Sequence, residues 1–162
     1  MRLFSLLLFS IFMFSCSDRP TFEGLVKNYQ VNSEVFSELT EMACKLDKSD
    51  TFKRYTPRKT GQESIVELDV LLNKVSGKYV DYRSGKDSQC ILEVLVYAEG
   101  FAGMGKKYSY TYQIDSPKTF DKKVHAYNNI ISSAENTSFD MPLIASKKFD
   151  GWYFSFVYNH ES

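Results

Sequence analysis

Hydrophobic positions change their period along this chain, and each change marks a change of element. The first 16 residues, MRLFSLLLFSIFMFSC, carry one charge, Arg2, and then an apolar run from Leu3 to Phe14 interrupted only by serines. From Phe22 to Tyr29 the apolar residues fall at 22, 25, 26 and 29, a short helical stripe broken by Gly24. Asn32 and Ser33 suit a helix N-cap. The apolar set 35, 36, 39, 42, 43 and 46 behind them predicts a helix of about four turns ending at Leu46. Residues 48–59 are polar, basic and turn-rich up to Pro57 and predict a surface loop. Thr60-Gly61-Gln62-Glu63 has the form of a capping box, and Ile65, Leu68, Leu71, Leu72 and Val75 continue as a helical stripe that Gly77 stops. Val66, Leu68, Val70 and Leu72 also alternate, so a strand over 65–72 stays open as the alternative.

After Gly77 the period falls from 3.6 to 2. Residues 78–83 predict a short strand, followed by the turn Ser84-Gly85-Lys86-Asp87. Cys90, Leu92, Val94 and Val96 then share one face, with Ile91, Glu93, Leu95 and Tyr97 on the other. Beyond the glycine-rich Gly100–Gly105, Tyr108, Tyr110, Tyr112 and Ile114 alternate with Lys107, Ser109, Thr111 and Gln113, the cleanest half-buried strand in the chain. Residues 120–134 are ambiguous, with Phe120, Val124, Tyr127, Ile131 and Ala134 at helical spacing, and the structure of 115–142 stays open. The C-terminus predicts a hairpin: Leu143–Phe149, a turn at Asp150-Gly151, then Trp152–Tyr158. These elements predict an α+β fold, with N-terminal helices packed on one face of an antiparallel sheet of about four to five strands. No linker is long enough to divide residues 22–162 into two domains.

The apolar run at the start covers about 12 residues, about 18 Å of helix, too short to cross a bilayer comfortably. A basic start, an apolar centre and a small residue at the end form the secretory pattern. The ending Met13-Phe14-Ser15-Cys16 resembles the lipobox of bacterial lipoproteins. That resemblance implies a signal peptide over 1–15, acylation of Cys16 as the mature N-terminus, and a lipidated tether over 16–21. Acyl chains of the diacylglyceryl and palmitate kind would anchor it stably. Ser17 after the cysteine resembles outer-membrane cargo, which implies the periplasmic face of the outer membrane. The alternative is a plain signal peptide cut nearby, with Cys16 incidental. The 78–158 half loosely resembles short uncharacterised bacterial proteins with a glycine-rich turn, a Tyr-alternating strand and a late Asp-Gly-Trp-Tyr segment, a resemblance that carries no activity.

Composition narrows the function classes. Of 162 residues, 43% are hydrophobic and 15% aromatic, enough to bury a core and exclude wholesale disorder. Loss of Arg2 with the signal leaves 19 basic against 20 acidic side chains. So balanced a chain has no global attraction to nucleic acid or acidic membranes. Three cysteines in an exported chain leave one unpaired. If Cys16 carries lipid, Cys44 and Cys90 remain to form a disulfide in an oxidising compartment. Against the bridge, Cys44 lies off the centre of its helical stripe, and would meet Cys90 only if the 20–30 segment covers the helix's other side.

Few motifs offer chemistry. Gly100-Phe-Ala-Gly-Met-Gly105-Lys106-Lys107 nearly matches the phosphate-binding loop G-x-x-x-x-G-K-[ST], but Lys107 stands where a hydroxyl would hold Mg²⁺ and a strand, not a helix, follows. It is expected to be a strand connection without nucleotide affinity. His125 and His160 have no Cys or carboxylate at ligand spacing, so no metal site and no cofactor are expected. No G-x-S-x-G or H-E-x-x-H is present. Tyr108, Tyr110, Tyr112 and Trp152 are candidates for an aromatic binding face, weighed against their building the core. The expectation is a non-enzymatic, lipid-anchored lipoprotein that acts through protein or envelope contacts. A toxin-neutralising immunity lipoprotein is the runner-up, and a small envelope hydrolase centred on His125 is the competing class.

Overall fold

The computed structural model describes residues 19–46, 53–84, 89–101, 104–132, 135–145 and 149–159. Cys16, His160 and Gly85-Lys86-Asp87 of the expected turn lie outside them. Two short helices, α1 (Phe22–Val31) and α2 (Ser33–Ala43), come first, joined at Asn32. A strand β1 (Lys53–Tyr55), a helix α3 (Val66–Lys74) and strands β2 (Tyr79–Ser84), β3 (Cys90–Phe101) and β4 (Met104–Tyr112) follow. A one-and-a-half-turn helix α4 (Tyr127–Ser132) precedes the final strands β5 (Thr137–Ile144) and β6 (Phe149–Asn159). The sheet has six antiparallel strands in the order β1-β2-β3-β4-β6-β5, so it is larger than the four to five expected.

The α+β architecture follows from one aromatic interface. Phe22 on α1 packs against Phe154 and Phe156, and Phe36 on α2 packs edge-on against Tyr110 and Trp152. All the aromatics of that interface are buried, so the helices cover a single face of the sheet. The opposite face pairs its polar groups across strands. Arg54 donates two hydrogen bonds to Asp81, Lys107 is ion-paired with Glu93, and Ser155 bonds both Thr111 and Asp140. The edges are a three-residue strand, β1, and β5 with Pro142 and a register shift, both of which discourage edge-to-edge association.

Several local expectations are corrected. Residues 53–55 are strand, not loop. The capping box does not start α3: that helix begins at Val66, and the Tyr55 hydroxyl accepts from the Ile65 amide while donating to Asp69. The strand alternative over 65–72 falls with it. At the C-terminus of α3, Ser76 takes the left-handed conformation (φ 61°), and Gly77 donates to Leu72 in a Schellman pattern. Gly77 itself is required because a Cβ there would stand 2.7 Å from Val94. A bulge between Leu95 and Tyr97 moves Tyr97 and Glu99 to the helix-covered face, where alternation alone would not place them. Asp150-Gly151 is not a turn but part of β6. Gly151 takes φ 97°, and a Cβ there would stand 2.9 Å from the Tyr112 and Gln113 side chains; Ile144 pairs with Phe149 across the hairpin.

Candidate functional site

The candidate aromatic face is core. Tyr108, Tyr110 and Trp152 are at most 1% exposed, and Tyr112 is half-buried against the Trp152 ring. Tyr108, Tyr110 and Trp152 are therefore not available to a partner, and Tyr112 keeps only part of its surface. Tyr110 donates to the Leu25 carbonyl and accepts from Asn28, and burial pushes its hydroxyl well above the ordinary range. The neighbouring Tyr108 hydroxyl is also pushed up by burial and has no hydrogen-bond partner among the described residues.

Cys44 and Cys90 form a disulfide, with Cα atoms 5.6 Å apart. The off-stripe position does not prevent the bridge: Cys44, the C-cap of α2, keeps helical angles (φ −70°, ψ −12°) and bonds its amide to the Thr40 carbonyl, and from the half-buried flank of the helix its side chain meets the start of β3.

His125 lies on a cleft of about 470 Å³ between α1 and the segment leading into α4. Its ring is half-buried and stacks on Phe120 and Phe139. The Asp121 amide donates to His125 Nδ1 at 2.9 Å, so the neutral ring carries its proton on Nε2. That polarity is the reverse of a triad histidine, whose Nδ1–H donates to a carboxylate while Nε2 accepts from the nucleophile. The Glu23 carboxylate borders the same cleft, but no Ser, Thr or Cys lines it. In that tautomer the ring brings an N–H donor to a cleft lined by Phe22, Val26, Phe120 and Met141.

A larger groove, about 690 Å³, runs between α2 and α3. Val66 and Val70, one turn apart on α3, are 66% and 48% exposed, and Met42, Leu46 and Leu71 continue the apolar strip. Glu38, Glu41 and Glu67 stand on its rim with Lys45 and Lys74. Burial of the helix stripe was legible in the sequence. The exposed pair was not, because Val66 and Val70 also fit a strand pattern, and only the pairing of α2 with α3 makes them one surface.

At the β3–β4 end of the sheet, Arg19 is ion-paired with Glu99 at 2.5 Å and Tyr97 donates to the same carboxylate. Burial pushes Glu99 up, but the hydrogen bonds from Arg19 and Tyr97 outweigh it and hold the carboxyl below its ordinary value. Lys106, pushed down chiefly by burial, donates to the Ile131 carbonyl and lies 4.8 Å over the Tyr158 ring. The glycine segment is a hairpin: Gly100 pairs with Gly105 and Phe101 with Met104, and a strand follows directly.

Among the described residues no group of three or more His, Cys, Asp or Glu side chains can hold a metal, and no helix is long and apolar enough to cross a membrane. No family model matches the chain, and neither a curated protein nor a solved structure shows significant similarity to it, so function has to be read from this geometry.

Proposed function

We propose that this chain is a non-enzymatic lipoprotein of the cell envelope, anchored through Cys16 and acting by binding a protein partner. The observation that carries the binding role is the α2–α3 groove, an apolar strip rimmed by charges of both signs, the anatomy of a protein interface. The polarity of His125 supports binding over hydrolysis, since a general base there would first have to break the Asp121 contact. The Cys44–Cys90 disulfide supports an oxidising compartment and leaves Cys16 as the thiol for acylation. The reading needs no cofactor, nucleotide or nucleic acid.

A photoreactive residue placed at Val70, in cells carrying the full chain, is expected to give discrete protein adducts that disappear when Val66→Glu is added. Equal adducts from a position such as Lys59, or adducts indifferent to Val66→Glu, would refute the groove. Cys16→Ser is expected to move the protein from membranes to the soluble periplasm. A wild type that takes up no labelled fatty acid, with the variant still membrane-bound, would refute the anchor.

A further inference from the structure

The tether is short, and the structure shows where it is tied. From Arg19 onward the chain is fixed. Arg19 is held by Glu99, and Thr21 accepts from the Gly24 amide as the N-cap of α1. Cys16 is three Cα steps from Arg19, at most about 11 Å whatever path the chain takes. Acyl chains on Cys16 would have to lie in hydrocarbon, below a headgroup layer about 5–8 Å thick on each side. Arg19 therefore cannot leave the bilayer surface by more than about the thickness of that layer.

Glu99 lies at one end of the sheet. It pairs with Lys106, and two residues further the strands turn between Phe101 and Met104, whose side chain is 38% exposed. The opposite end, where Ser84 pairs with Cys90 and Ile144 with Phe149, is about 30 Å away, since Cys90 to Glu99 is nine residues of strand. We infer that Arg19 clasps the acylated end of the chain to the β3–β4 end of the sheet, so that this end, with Met104 at its rim, rests on the bilayer surface. Exposed Ile144 and Phe149, at the other end of the sheet, then point away from the membrane.

This inference rests on acylation of Cys16, and the experiment separates the two. Full-length protein carrying Met104→Cys or Ile144→Cys is purified from membranes and labelled with a fluorophore. With Cys44 and Cys90 bridged and Cys16 acylated, the introduced thiol is the reactive one. The labelled protein is placed in phosphatidylethanolamine–phosphatidylglycerol vesicles containing a brominated lipid as quencher. The label at 104 is expected to lose most of its emission, and the label at 144 to keep it. Adding Arg19→Ala is expected to restore emission at 104 while the protein still floats with the vesicles. Floating protein whose two labels are quenched alike overturns the orientation and leaves the anchor standing. Quenching at 104 that ignores Arg19→Ala overturns the clasp. Protein that does not float overturns the acylation reading, and this inference with it.

Discussion

Replacing both bridged cysteines, Cys44→Ala with Cys90→Ala, tests how much of this small domain's stability is a constraint on its unfolded chain. The bridge spans 46 residues and encloses β1, α3 and β2. In the chain-entropy account, a cross-link of that span removes about 4 kcal/mol of conformational freedom from the unfolded state. The packing contribution is small beside it, because both side chains are only half-buried and lie at the margin of the core. A loss of about 4 kcal/mol is a large share of the 5–15 kcal/mol typical of a domain. At about 3 °C per kcal/mol for a chain of this size, the midpoint of thermal unfolding should fall by about 12 °C. Urea unfolding of the oxidised parent and the double variant, followed by the fluorescence of buried Trp152, gives the comparison directly. The variant should show a lower midpoint and a steeper dependence on denaturant, because its unfolded chain expands further. A loss under about 1 kcal/mol with an unchanged slope would refute the reasoning, and would mean that α2 and β3 hold the loop without the bridge.

Two tyrosines separated by one residue should respond oppositely to loss of the hydroxyl. Tyr110→Phe breaks the bond to Leu25 and should lose about 1 kcal/mol, whereas Tyr108→Phe removes a buried group without a partner among the described residues and should be neutral or stabilising in the same urea assay. Gly105→Ala should lose more than about 2 kcal/mol, because φ is 143° and the new Cβ would stand 2.0 Å from the Glu99 carbonyl oxygen. Gly61→Ala, also at positive φ but with open space around it, should lose only about 1 kcal/mol. Glu99 titrates below its ordinary value of 4.5 in the folded protein, so its contribution is fully present above that value and is lost as pH falls through the lowered one. Glu99→Gln should therefore flatten the loss of stability below pH 4.5 relative to the parent, and an unchanged acid limb in unfolding curves would contradict the clasp.

The sequence by itself determined what local periodicity can carry. The stripe behind Asn32 could only be a helix with one buried side, and the tyrosines at 108, 110 and 112 could only be one face of a strand. Together with the order of elements they required helices on one face of an antiparallel sheet. With Cys16 set aside by the lipobox resemblance, cysteine parity left Cys44 and Cys90 as the candidate pair, and the sequence left the bridge itself open. Tertiary structure decided whatever depended on a distant group. Residues 53–55 are strand because β2 offers an edge and because the Tyr55 hydroxyl is needed to cap α3, a role no neighbour in sequence fills. Tyr97 faces the helices because a bulge, invisible to alternation, inserts one residue before it. Gly151 takes a positive φ within β6, with the Gln113 side chain just past the end of β4 close against it, where the dipeptide Asp150-Gly151 alone reads as a turn. The surfaces open to partners belong to the same class. Val66 and Val70 become a groove only when α2 lies beside α3, and Arg19 is tied to the β3–β4 end of the sheet only when Glu99 is folded back to meet it.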